Sequence, residues 1–227
     1  MSGQHTWGKG VNRAVGRRFA TSRDPIADAV AADVSAASAG RKTAEAAGSP
    51  WAEPIDLGVS IDPGAPLPHL IADGIRAVLV FHAGLPADPD WDGTTVTVVD
   101  PNEPTDRRLS WVVFAGVAHV SLGGPNDEAL SGHPLFEAGL RHYQAHEVHN
   151  SELIASMERR NRIHPNHRPE RFASLRHLII TFHDETFDCV CRSWTAGTVE
   201  AAFGDALAMA LGAARTGNFH DAPGGPE

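Results

Sequence analysis

Two apolar runs, Arg176 to Phe182 and Phe187 to Trp194, flank the polar stretch His183-Asp184-Glu185-Thr186 and predict an antiparallel hairpin. A two-residue turn at Asp184-Glu185 would set His183 opposite Thr186, Phe182 opposite Phe187, Thr181 opposite Asp188 and His177 opposite Arg192. Alternation then gives a core face of Leu178, Ile180, Phe182, Phe187, Cys189 and Cys191. The outer face carries His177, Ile179, Thr181, His183, Thr186, Asp188, Val190 and Arg192. On that outer face His183 and Asp188 become diagonal neighbours. A carboxylate beside an imidazole fixes its tautomer and raises its basicity, as a general base or an oriented metal ligand requires. The competing reading is a sheet face whose polar side chains simply meet water. Asp-Glu is a poor type I′ turn, which counts against this register.

A second group is His142-Tyr-Gln-Ala-His146-Glu147-Val-His149. On a helix, His142, His146 and His149 would share a face at spacings of four and three, and three imidazoles suffice for a catalytic zinc with an open position. The zinc-peptidase motif needs two residues between its glutamate and its second histidine, and here there is one. On an extended chain His142 and His146 face one way and His149 the other. A helix cap at Asn150-Ser151 favours the extended form.

Loop residues supply the remaining candidates. His133 precedes Pro134, and His164 and His167 bracket Pro165-Asn166. Loops carry many functional residues, yet a turn histidine bonded to nearby backbone is the plainer alternative. Asp127 and Glu128 are acidic candidates that equally suit a helix start. His183, Asp188 and His133 are therefore the catalytic candidates, with His142, His146 and His149 as candidate ligands of a divalent metal.

These residues need elements to position them. Ile55 to Ile61 alternates and stops at Asp62-Pro63-Gly64, predicting a strand and a turn. Ile75 to Phe81 reads as a buried strand, Thr94 to Val99 as another, and Leu109 to Leu122 as one long strand or a bent pair ending at Gly123-Gly124-Pro125. Asn150-Ser151 predicts a helix with Leu153, Ile154 and Met157 as its apolar stripe and arginines at its C-terminal end. Thr198 to Ala214 reads as a final Ala-rich helix capped by Thr198. The fold class is α+β: a single domain over 51–214 with a mainly antiparallel sheet and two or three helices. Residues 1–50 are expected to be a disordered tail with one loose helix near Pro25 to Ala37, and 215–227 a frayed end.

The segments GPNDEALSGHPL (124–135), EVHNS (147–151) and RHLIITFHDETFDC (176–189) resemble those of small bacterial proteins of unassigned function. The resemblance spans residues 55–195. It implies a compact stand-alone domain and carries no activity with it.

Composition narrows the partners. A net charge of −9 repels a phosphate backbone, so nucleic acid is not expected. The basic run of Lys9, Arg13, Arg17, Arg18 and Arg23 reads as a solvated tail, and Arg17-Arg18 lacks the apolar segment of an export signal. No stretch is apolar for long enough to span a bilayer. Cys189 and Cys191, two residues apart, cannot form an ordinary disulfide and read as core residues suited to a cytoplasmic location. Two functions remain. One is a small His/carboxylate enzyme acting on a small polar molecule, which polar strand histidines beside long loops favour. The other is a non-catalytic domain that binds a protein partner.

Overall fold

A computed structural model describes residues 25–84 and 105–219. The expected strand at Thr94 to Val99, residues 1–24 and residues 220–227 lie outside them. The described chain is an α+β fold whose nine strands form two antiparallel sheets. The strands are β1 Trp51–Ile55, β2 His69–Ala72, β3 Arg76–His82, β4 Arg107–Ala115, β5 His119–Gly123, β6 Ala145–His149, β7 Arg176–Thr181, β8 Thr186–Cys191 and β9 Ser193–Ala201. The helices are α1 Pro25–Ala46, α2 Glu152–Asn161, α3 Glu170–Ala173 and α4 Phe203–Thr216.

One sheet has the order β1-β6-β7-β8-β5 and the other β2-β3-β4-β9. They face each other across a core of Leu79, Phe81, Val112 and Phe114 from one sheet and Leu178, Ile180, Phe187, Cys189 and Cys191 from the other. Aromatic pairs tie the layers, with ring centroids 5.1 Å apart for Phe81 and Phe182 and 5.0 Å for Phe114 and Phe187. The second face of the four-stranded sheet is covered by α4, which buries Phe203, Ala206, Ala210 and Ala213 against Val78, Val80 and Trp111. The second face of the five-stranded sheet is roofed by the segment after β5, where Leu130, Leu135 and Leu140 pack on Ala52, Val148 and Ile179.

Several expectations need correction. Of the two forms expected for Leu109 to Leu122 the pair of strands is the one found, but its members lie in different sheets, and the chain turns between them at Gly116, whose φ is 64°. Ile55 to Ile61 is mostly loop: β1 ends at Ile55, and the Asp56 carboxylate accepts from the Gly58 N–H at 2.7 Å. Thr198 does not cap a helix. It lies in β9 opposite Ser110, and α4 starts at Phe203.

Structured elements extend beyond 51–214 at both ends. Residues 25–46, expected as tail with one loose helix near Pro25 to Ala37, form a 22-residue helix docked on the domain. Its half-buried face is Ala37, Ser38, Gly40, Arg41 and Ala44, mostly small residues, and a Cβ on Gly40 would lie 1.8 Å from the Glu137 carbonyl oxygen. Arg141 clamps the helix, its Nε 2.9 Å from an Asp33 carboxylate oxygen. At the other end Phe219 is buried and stacks on Trp111 at 4.8 Å.

Candidate functional site

The hairpin β7–β8 forms with the expected faces and a register two residues away. Thr181 pairs with Thr186, Ile180 with Phe187, Ile179 with Asp188 and His177 with Val190, leaving Phe182 to Glu185 as a four-residue connection. The Phe182 N–H donates to the Glu185 carbonyl at 2.9 Å. Asp-Glu cannot take the positive φ angles of a type I′ turn cheaply, so the wider loop wins. Because the slip is even, no side chain changes face.

The slip does change which histidine meets Asp188. His183 sits in the connection, its Nδ1 2.9 Å from Asp184 Oδ1, and does not reach Asp188. The His183–Asp188 pair is therefore corrected to His177–Asp188. His177 Nε2 lies 3.1 Å from Asp188 Oδ1 and 3.2 Å from Oδ2. On its other side His177 Nδ1 lies 2.7 Å from Ser151 Oγ. Ser151 caps α2, its Oγ accepting from the Ile154 N–H at 3.2 Å. The donors and acceptors fit in one direction. With its lone pair turned to Ile154 N–H, the Ser151 hydroxyl donates to His177 Nδ1, and His177 Nε2–H donates to the Asp188 carboxylate. Ser151 and His177 are buried, while the Asp188 side chain is 26% exposed.

Strand geometry explains why Ser151 is reachable. β6 pairs with β7 only from Ala145–Ile180 to Glu147–Leu178, while it follows β1 as far as His149. Beyond Glu147 the two strands part. A cleft of about 580 Å³ opens in the gap, lined by Ser151, Ile154 and Ala155 on one side and Phe172, Leu175 and Arg176 on the other. Asn150, at φ 51°, turns the chain from β6 into α2 and aims Ser151 across the gap.

His133 and His119 stand around the same carboxylate. His119 Nε2 is 3.9 Å from Asp188 Oδ1. His133, on the roof, accepts the Leu135 N–H at Nδ1 (3.1 Å), which leaves its proton on Nε2. Burial holds its pKa below the usual histidine value, with Asp188 pulling it up and His177 pushing it down. Of the sequence candidates, Asp188 and His133 are thus brought together. Ser151, read only as a cap, and His177, read only as an outer-face residue, complete the site. The signal for His177 was its shared face with Asp188, which survives either register.

The other candidates go elsewhere. Asp127 accepts from the Tyr143 hydroxyl at 2.5 Å, and this bond keeps its carboxyl below the usual range, while burial and the same bond push Tyr143 up to about 12. His183 lies 3.9 Å from Asp127 and is held above the ordinary value, first by its bond to Asp184 and also by the nearby charges of Asp127 and Glu128. This cluster ties the base of the roof to the hairpin loop.

The candidate metal ligands do not converge. His142 Nε2 meets the Asp127 carbonyl at 3.0 Å, His146 is fully buried with Nε2 accepting the Arg141 N–H at 3.2 Å, and His149 bonds Glu53 at 3.0 Å and stacks on Trp51. The extended form of 145–149 sends His146 and His149 to opposite faces, as the extended reading required. Among the described residues no group of three or more His, Cys, Asp or Glu side chains is arranged to hold a metal ion. His164 and His167 are turn residues: His164 Nδ1 accepts the Asn166 N–H at 3.1 Å, and His167 bridges Glu158 and Asn161. No helix among the described residues is long and apolar enough to cross a membrane.

Comparison of the chain with protein-family models, curated proteins and solved structures found no match.

Proposed function

We propose that this protein is a serine hydrolase acting by acyl transfer on a small polar ester or amide, with Ser151 as nucleophile, His177 as general base and Asp188 as its orienting carboxylate. The observation that carries the reading is the chain of two bonds, Ser151 Oγ to His177 Nδ1 at 2.7 Å and His177 Nε2 to Asp188 at 3.1 Å, at the edge of a cleft. Nucleophile, base and orienter are each within reach of the next, which is the geometry that activates a serine whatever the fold around it.

In this reading Ser151 Oγ attacks the carbonyl carbon as its proton passes to His177 Nδ1. Asp188 stabilises the resulting imidazolium. The developing oxyanion faces the first turn of α2, where the N–H groups of Glu152 and Leu153 lie at the positive end of the helix. His177 then protonates the leaving group, and a water deprotonated by the same nitrogen hydrolyses the acyl-serine, returning the proton to Ser151. His133, its pKa lowered chiefly by burial, lies within the field of the same carboxylate.

A fluorophosphonate probe, which forms a covalent bond only with an activated serine, tests the assignment. Intact-mass and peptide analysis should find one adduct, on Ser151, absent from Ser151→Ala and much slower to form in His177→Ala. A folded protein that takes no label, or equal labelling of wild type and Ser151→Ala, would reject the reading.

A further inference from the structure

Residues 152–175, which carry α2 and α3, form an arm that borders the cleft and stands off the body of the fold. None of its residues is buried, although it contains Leu153, Ile154, Met157, Ile163 and Phe172. Its tip, 159–171, holds five arginines and one glutamate in a chain whose net charge is −9. Two of those arginines are used locally: Arg159 pairs with Glu152 at 2.5 Å, and Arg162 grips Glu158 through Nε and Nη2. Arg160, Arg168 and Arg171 have no ion-pair partner among the described residues, and all three are exposed. Among them projects Ile163, 92% exposed, the most exposed large apolar residue of the described chain.

We infer that the tip of this arm is a docking surface for an acidic polypeptide segment, with Arg160, Arg168 and Arg171 taking its carboxylates and Ile163 meeting one apolar side chain between them. The inference does not depend on the chemistry of Ser151. Charge complementarity selects the occupant's sign, since guanidinium forks match carboxylates in pairs, and at contact range salt screens the more distant negative charges of the chain while the arginines of the tip act directly. The distribution of apolar surface selects its class. A lipid surface needs a broad apolar face to sink into, whereas here Ile163 projects alone and Ile154 and Phe172 turn into the cleft. Single-stranded nucleic acid needs broad exposed rings to stack its bases, and the one Phe, Tyr or Trp of the arm, Phe172, is half-buried.

Fluorescence anisotropy on the full chain provides the test. The probe is a labelled extended peptide rich in Asp and Glu with a central Leu, measured against the same peptide with Asn and Gln in place of the acids. The acidic peptide should bind, weaken with added salt, and lose about tenfold or more in affinity to the triple variant Arg160→Glu, Arg168→Glu, Arg171→Glu. Ile163→Ser should lose several-fold at unchanged salt dependence. Melting temperatures of these variants should match wild type, because every altered side chain is exposed, so lost binding is not lost folding. The inference is overturned if the acidic and neutral peptides bind alike or if the triple variant keeps its affinity. It is equally overturned if phosphatidylserine vesicles or a single-stranded oligonucleotide bind through these arginines while the peptide does not, or if light scattering shows a dimer of this chain that the triple variant dissociates.

Discussion

His177 and Asp188 lie on adjacent strands two residues off directly opposite, as diagonal neighbours on one face, with Nε2 3.1 Å from Oδ1, and Ser151 approaches the far side of the same ring. The pair exists because β7 and β8 are joined by four residues, which places Ile179 rather than Thr181 across from Asp188. With Ser151 at the start of α2, one side chain serves two structures: it satisfies a helix N–H and anchors a buried imidazole.

That double duty gives a measurable cost. Ser151→Ala removes a cap, which alone is about 1 kcal/mol, and strands His177 Nδ1 in a buried site, which adds about 1 to 3 kcal/mol. Ser151→Thr keeps a hydroxyl at both positions and should recover most of the difference. Denaturant unfolding of the two variants checks this; equal losses would mean that the hydroxyl bonds contribute little.

The sequence carried the parts of this fold that depend on alternation. The faces of β7 and β8 were legible because they follow from period two, and they survived a wrong register. The capped helix after Asn150 was legible because Ser151 and the terminal arginines mark both ends of α2. What was hidden depended on tertiary context. Thr198 to Ala201 suits a helix or a strand, and pairing with Arg107 to Ser110 decides for β9. Helix α1 shows no large apolar stripe because it docks through small residues, a contact that hydrophobic periodicity does not register. The role of Ser151 was hidden because its partner lies 26 residues away and meets it only where β6 and β7 part.

The docking of α1 predicts opposite outcomes for two helical glycines. Gly→Ala in a helix normally stabilises by about 0.5 to 1 kcal/mol, since it restricts the unfolded chain. At Gly204, in the first turn of α4, a Cβ meets nothing within 4 Å, so Gly204→Ala should give that gain. At Gly40 the same Cβ would lie 1.8 Å from the Glu137 carbonyl oxygen, a backbone atom that cannot swing away. Gly40→Ala should therefore destabilise the protein or release α1, seen as a lower melting temperature and faster amide exchange over 25–46. A stabilised Gly40→Ala would mean that the helix does not pack here.

Acid sensitivity should trace in part to His146. Burial, and then the positive charge of Arg141, hold its pKa down to about 4 from 6.5. The unfolded chain takes up this proton near 6.5 and the folded chain only near 4. Stability from this group is therefore intact above pH 6.5 and declines as pH falls from 6.5 to 4, by about 3 kcal/mol in all. His146→Gln removes the titration while leaving an acceptor for the Arg141 N–H. Whatever its starting value after the change in packing, its unfolding free energy should fall less steeply across that window. Parallel curves for the two proteins would show that His146 does not carry this acid sensitivity.

The two hairpin histidines separate catalysis from anchorage. Asp188→Asn replaces the carboxylate that accepts His177 Nε2–H with an amide that can present its N–H side instead, which favours the wrong tautomer and removes the charge that stabilises an imidazolium. Turnover of an activated ester should fall by about a hundredfold or more, with KM little changed, because the cleft walls at Ile154 and Phe172 are untouched. His183→Asn, in the loop beside Asp184 and Asp127, should leave kcat within about twofold, since no side-chain hydrogen bond or ion pair among the described residues joins it to Ser151 or His177. Rate measurements on both variants, alongside their melting curves, decide the matter. If His183→Asn is the one that loses turnover while Asp188→Asn keeps it, the reacting centre lies at the hairpin loop and the Ser151–His177–Asp188 chain is architecture.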